Sequence, residues 1–195
     1  MMPAQKPYRS KQDYATPAAF VAAVLARLGI PAFAFDCAAD ATNTKAPRFL
    51  DAEHDALRIP HWERLLEAEE WAWLNPPYTD IGAWARKCRQ LREAGGQVAF
   101  LVPASVGANW FRDDVDGHAR VLFLNGRLAF MPDKPRWLYP KDCLLALYSP
   151  ALPPGSEVWT WRRPLLPRAQ PIPGLPLFDV ELEDMSADIN GHVLG

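Results

Sequence analysis

Apolar residues along this chain come in two patterns, short unbroken runs and stretches repeated at helical spacing. Phe20, Val21, Val24, Leu25 and Leu28 recur at the three- and four-residue intervals of a helix face. Thr16 is placed to cap that helix, Pro17 to occupy its first turn and Gly29 to stop it. The run Ala32-Phe33-Ala34-Phe35 then reads as a buried strand that ends on the carboxylate of Asp36. Residues 40–70 are polar and acidic and carry only weak signals of order. Trp71-Ala72-Trp73-Leu74 is a second apolar run and leads directly into Asn75-Pro76-Pro77-Tyr78. Two consecutive prolines allow neither strand pairing nor helix at that point. Asp80 can cap a second helix, with Ile81, Trp84, Ala85, Cys88 and Leu91 on one face and Gly95-Gly96 at its end. Arg86, Lys87, Arg89 and Arg92 fall mostly on the opposite face. Further strands are predicted at Val98–Val102, which Pro103 stops, at Val121–Leu124 and at Cys143–Tyr148.

Continuous apolar strands alternating with helices require a sheet covered on both faces, so the pattern predicts an α/β fold with a single doubly wound sheet. Ligands of such folds bind beyond the C-terminal ends of the strands, and Asp36, Asn75 and Pro103 all fall at such ends. The character changes near residue 150. Proline recurs from Pro150 to Pro176, and an acidic stretch follows from Asp179 to Asp188. The expected organisation is a loose N-terminus over residues 1–12, a domain over 13–150 and a partly disordered tail over 151–195, with one further strand at Val158–Trp161.

Composition narrows the function classes. Hydrophobic residues make up 49% of the chain and charged residues 23%, the balance of a soluble globular protein. A formal net charge of −2 means that any contact with nucleic acid relies on a local basic face. Cys37, Cys88 and Cys143 are odd in number and widely spaced, and the histidines do not stand at ligand spacing, so reduced thiols and no metal site are expected. With no apolar leader and no stretch long enough to span a bilayer, a cytoplasmic location is expected.

The chemistry concentrates at Asn75-Pro76-Pro77-Tyr78. The prolines turn the Pro76 carbonyl into the cleft, and the side-chain oxygen of Asn75 is a second acceptor beside it. Two acceptors facing one exocyclic amino group draw its nitrogen from planar toward tetrahedral and localise its lone pair. An in-line attack on a methyl sulfonium needs that lone pair. Tyr78 offers a flat face for a base, and a duplex base reaches such a pocket only by leaving the helix.

These residues resemble the catalytic box of methyltransferases that act on amino groups. The chain is similar to the small phage-type DNA N6-adenine methyltransferases in five segments that occur in order. They are Asp13–Pro17; Phe35–Asp40 with Asn43; Trp73–Tyr78; Leu101–Ser105 with Asn109-Trp110-Phe111; and Asn125–Phe130. The resemblance implies a Rossmann-like fold, S-adenosylmethionine as methyl donor, a flipped adenine of double-stranded DNA as acceptor, and phage or prophage modification as the role. It also implies that Asp36, Ala38 and Ala39 floor the methionine end of the cofactor, where small residues admit close backbone approach. Thr16 and Pro17 would close over that end, and Asp55, or alternatively Asp51, would receive the cofactor's adenine amino group. The chain departs from larger relatives in lacking a glycine-rich loop after the first strand. Only residues 37–74 lie between Asp36 and Asn75, too few for two full strand–helix units, so no ribose-binding acid is assigned.

Candidate DNA contacts are Arg86, Lys87, Arg127, Lys134 and Arg136, whose charge would neutralise phosphates. In the tail, Leu175, Leu177 and Phe178 resemble the core of peptides that dock on the bacterial sliding clamp, although the glutamine of such peptides is missing unless Gln170 serves. Two alternatives accompany the methyltransferase reading. One is a non-catalytic DNA- or protein-binding relative of the fold, and the other is a protein glutamine methyltransferase, whose acceptor is also a planar amide. Zinc-dependent nucleobase deaminases are excluded, because no CxxC pair is present to hold the metal.

Overall fold

A computed structural model of the chain describes residues 15–130 and 138–162. The expected loose N-terminus, the Asp13-Tyr14 pair, Lys134, Arg136 and the tail with Leu175, Leu177 and Phe178 lie outside the described residues.

One seven-stranded sheet organises everything else. Its strands are β1 (Phe35–Asp36), β2 (Arg48–Phe49), β3 (Trp71–Leu74), β4 (Gln97–Pro103), β5 (Arg120–Leu124), β6 (Cys143–Tyr148) and β7 (Gly155–Trp159), in the spatial order β2-β1-β3-β4-β6-β5-β7. Neighbours pair in parallel except β6, which runs antiparallel to both β4 and β5. The sheet continues past residue 150, because β7 pairs in parallel with β5 and brings Trp159 into the core.

Both faces of the sheet are buried, and the strand residues sort by parity. Ala72 and Leu74 of β3, Val98, Phe100 and Val102 of β4, and Leu144 and Ala146 of β6 pack toward α2 (Ile81–Glu93). Trp71, Trp73, Ala99, Leu101, Leu145 and Leu147 face the other way and meet Phe20, Val24 and Leu28 of α1 (Ala18–Leu28). A third helix, α3 (Asn109–Asp114), lies on the α2 side. The unbroken apolar runs in the sequence have this cause: every residue of β3 and β6 is buried, whichever face it takes.

Local signals set the helix ends. Gly29 adopts a left-handed conformation (φ 67°), and the amides of Gly29 and Ile30 close back on the carbonyls of Ala26 and Leu25. The side chain of Asp80 accepts from the amide of Ala83 at 3.3 Å, the cap expected for α2. Asp80→Ala is expected to lower stability by about 1 kcal/mol, seen as a lower urea midpoint with an unchanged slope. The start of α1 differs from expectation. The helix begins at Ala18, Pro17 is extended at the position before it, and no side chain caps it. Thr16 is instead turned toward the cleft, where its hydroxyl has another partner.

Residues 40–70 hold more order than their composition indicates. They contain β2 and two short 3-10 helices, Ala56–Arg58 and Trp62–Leu65. Long-range bonds hold the region: Arg48 pairs with Glu70 and donates to the carbonyls of Ala34 and Leu65, and the buried indole of Trp62 donates to Ala56. All three cysteines are buried free thiols. Among the described residues no group of side chains is arranged to hold a metal ion, and no helix is long and apolar enough to cross a membrane.

Candidate active site

The strand order reverses between β1 and β3. From β1 the chain first adds β2 on one side, then crosses to place β3 on the other. Two loops diverge at such a point and leave a crevice at the C-terminal ends of the strands. A cleft of about 280 Å³ opens there. Asp36, Cys37, Ala38 and Ala39 line it from β1 and the loop after it, Asp51 and Asp55 from beyond β2, Asn75 and Pro77 from the end of β3, and Thr16 from the segment ahead of α1. Asp36 and Asn75, expected at neighbouring strand ends, therefore share one cavity.

The turn after β3 is held through its asparagine. Asn75 is half-buried; its Nδ2 donates to Thr16 Oγ1 at 3.1 Å, and its Oδ1 accepts from the Tyr78 hydroxyl at 2.8 Å. Pro76 is buried beneath the turn and Pro77 is exposed at the cleft. The half-buried ring of Tyr78 meets Tyr139 edge-on (centroids 5.9 Å apart, 61° between planes), and Tyr139 in turn packs edge-on against buried Phe130. The aromatic face expected from Tyr78 is thus braced by residues that lie far along the chain.

Asp36 is the buried charge of the cleft. Its carboxylate accepts from the amides of Ala38 (3.3 Å) and Lys45 (2.9 Å), which folds the loop between them around it. Burial pushes its pKa up to about 6, against the opposing pull of the Lys45 and Ala38 amides and the Lys45 charge. Among the described residues, four carboxylates line the cleft, Asp36, Asp40, Asp51 and Asp55, against the single cation Lys45. Asp51 is held below the usual carboxylate range, chiefly by its hydrogen bond from His54. An acid-rich wall with a desolvated carboxylate at its floor suits a cationic ligand and repels a polyphosphate. Asp55 reaches the rim from a left-handed backbone (φ 41°) and pairs with Arg58 at 2.9 Å, largely in solvent.

Against this geometry the comparisons with known proteins are decisive. The profile of the DNA N-6-adenine-methyltransferase (Dam) family matches residues 4–137. The chain belongs to the Dam family. A DNA N-6-adenine-methyltransferase of Escherichia phage T1 is 25% identical over 115 residues, which make up 59% of this chain and 45% of the phage protein. The match thus spans less than half of that relative's length.

The basic candidates of this Dam-family chain separate by what they touch. Arg86 is exposed on α2. Lys87, on the same helix, instead donates to the carbonyl of Ile59 and clamps the 3-10 region onto α2. Arg89 bonds Asp114 of α3 and Glu93, and Arg92 donates to the Ser149 carbonyl, so both tie the scaffold together. Arg127 is exposed beside Gly126, whose φ of 100° is that of a glycine turn, and it pairs loosely with Asp142 at 3.2 Å. Arg162 donates to the Arg127 carbonyl and lies over the ring of Trp161, so the segment after β7 contributes to this basic patch. Sequence reasoning singled out neither Arg162 nor Lys45. Each acts through the backbone of a distant or looped segment, which no local pattern records.

Proposed function

We propose that this protein transfers a methyl group from S-adenosylmethionine to N6 of adenine in double-stranded DNA, on a Rossmann-like methyltransferase fold. The observation that carries the reading is the placement of the Asn75 amide on the rim of an acid-rich cleft, between buried Asp36 and the braced ring of Tyr78. Bound there, S-adenosylmethionine supplies an electrophilic methyl on a cationic sulfur. The residues present fit such a ligand. It carries an ammonium and a sulfonium but no phosphate, which agrees with a described lining of four carboxylates and one lysine and with a sequence that has no glycine-rich phosphate cradle after the first strand.

Asp36 would receive the ammonium end, Ala38 and Ala39 would let the backbone come close, and Thr16 with Pro17 would cover the same end. Asp55, or Asp51, would accept from the cofactor's adenine amino group. Asn75 Oδ1 and the Pro76 carbonyl would accept the two N–H bonds of the target amino group and direct its lone pair along the line of attack. Tyr78 would stack on the flipped base, and the proton lost from N6 would pass to water. Phage or prophage modification is the setting that agrees with the phage T1 relative.

On the DNA side, phosphate contacts fall to Arg86 and Arg127, with Lys134 and Arg136 as further candidates and Lys87 contributing charge from its clamped position. Arg127→Ala is expected to weaken binding alike on all DNA sequences and to reduce the salt slope of log K by about 1. A titration series in salt checks this. The sliding-clamp contact through Leu175, Leu177 and Phe178 remains a proposal for a pull-down with residues 170–195 deleted. The function itself is tested by incubating the protein with methyl-labelled S-adenosylmethionine and unmethylated DNA. Label is expected in the DNA, together with thermal stabilisation of the protein by the cofactor alone. Neither stabilisation nor transfer would favour a non-catalytic relative of the fold.

A further inference from the structure

We propose that Trp161 and Arg162, which follow β7, form an anchor for the DNA backbone away from the reacting base, with Arg162 holding a phosphate of the duplex. The inference rests on the DNA reading above and deepens it. The family match covers residues 4–137, so both positions lie beyond what the family resemblance assigns.

Topology puts the segment on the working edge of the sheet. β7 runs parallel to β5, and both β5 and β4 run antiparallel to β6. The C-terminal ends of β3, β4, β5 and β7 therefore share one edge. The Asn75 turn leaves that edge from β3, and Trp161-Arg162 leaves it from β7. Four strand spacings of about 4.8 Å separate the two strands, a distance on the order of 19 Å. At about 3.4 Å per step this corresponds to roughly six base pairs of duplex. An extended polyanion spans that distance, and a single nucleotide does not.

Packing holds the segment in place. Trp161 meets buried Phe20 of α1 edge-on (centroids 5.0 Å apart, 85° between planes), and its indole donates to the Gly126 carbonyl at 3.3 Å. The guanidinium carbon of Arg162 lies 4.9 Å from the centroid of the Trp161 ring, and Arg162 donates to the Arg127 carbonyl at 2.8 Å. An arginine fixed in this way has already given up side-chain freedom that binding would otherwise cost. Its guanidinium carries five N–H donors, of which that bond uses one, and its planar fork matches a phosphate. Arg162 is exposed, as are Arg127 and Lys141 at the same edge, and Asp142 offsets one of the three charges. The patch is net positive on a chain whose formal net charge is −2, which is the local basic face that a nucleic-acid partner requires.

The test is binding of the full chain to a duplex of about 30 base pairs, followed by fluorescence anisotropy from about 50 to 200 mM salt. Arg162→Ala is expected to weaken binding by about five- to ten-fold near 0.1 M salt and to reduce the salt slope of log K by about 1, the signature of one phosphate contact. Arg162→Lys keeps the charge and is expected to keep the slope. Arg127→Ala and Arg162→Ala together are expected to reduce the slope by about 2, because each side chain takes its own phosphate. An unchanged slope in Arg162→Ala would overturn the inference. So would a cost that disappears in the Arg127→Ala background, which marks Arg162 as a support for that turn alone. A slope that falls equally in Arg162→Lys would overturn it as well, since the loss would not follow the charge. Absence of duplex binding by the wild type would overturn the inference together with the DNA substrate proposed above.

Discussion

Asn75→Ala is expected to reduce methyl transfer by roughly 10²–10³-fold, the scale seen when one preorganised group is removed from a developing charge, and to leave S-adenosylmethionine affinity within about three-fold. The argument is one of position. Asn75 stands at the rim of the cleft, where its oxygen faces Tyr78 and its nitrogen is tied back to Thr16. Alanine removes the acceptor that, in the proposed reaction, would draw the target nitrogen toward tetrahedral geometry, while the carboxylates that would receive the cofactor stay in place. Some stability is lost with the two hydrogen bonds, about 1 kcal/mol each, so the measurement belongs well below the melting temperature. Rapid-quench transfer from labelled cofactor separates the chemical step from binding. Loss of cofactor affinity in parallel with rate would move Asn75 from the acceptor role to the wall of the pocket.

The second large effect concerns Asp36 and pH. Its carboxyl is buried and its pKa is raised to about 6, so near neutral pH the folded protein holds a charge that its surroundings disfavour. A cationic ligand relieves that state by binding the ionised form. Cofactor affinity is therefore expected to fall by about ten-fold for each pH unit below 6, as binding must first expel a proton. Stability of the unliganded protein moves the opposite way. The folded pKa lies above the unfolded value of 3.8, so the folded state binds the extra proton between the two. This group's contribution is fully favourable below about pH 4 and is lost as pH rises through about 6, an effect on the order of 2–3 kcal/mol. Asp36→Asn removes the charge and is expected to weaken cofactor binding by at least about 10²-fold and to flatten its pH profile. Calorimetric titrations from pH 5 to 8 check both statements. An affinity that is flat across that range in the wild type would separate Asp36 from the cofactor.

Much of this arrangement is written locally in the chain. The apolar runs at Trp71–Leu74 and Cys143–Tyr148 coincide with β3 and β6, because strands buried on both faces must be apolar throughout. The helical spacing from Ile81 to Leu91 survives intact because α2 buries one face only, and Asp80 caps it. The Asn75 turn and Asp36 were legible for the same reason: each is a polar residue at the abrupt end of an apolar run. What was not legible depends on distant partners. Residues 40–70 look unstructured by composition because Arg48, Trp62 and, from α2, Lys87 order them through single long-range bonds to backbone carbonyls. Thr16 reads as a helix cap from its neighbours alone, and only the fold brings Asn75 within reach of its hydroxyl. The strand expected at Val158–Trp161 starts earlier, at Gly155, because pairing with β5 and not apolar content sets its extent.

The central claim is that the group methylated is adenine N6 in DNA. It is tested most directly by incubating the wild-type protein with labelled S-adenosylmethionine and unmethylated double-stranded DNA, digesting to nucleosides and identifying the labelled product. The account predicts label in N6-methyladenosine of the deoxy series and in no other nucleoside. Label in cytosine, or in protein glutamine with none in DNA, would contradict it.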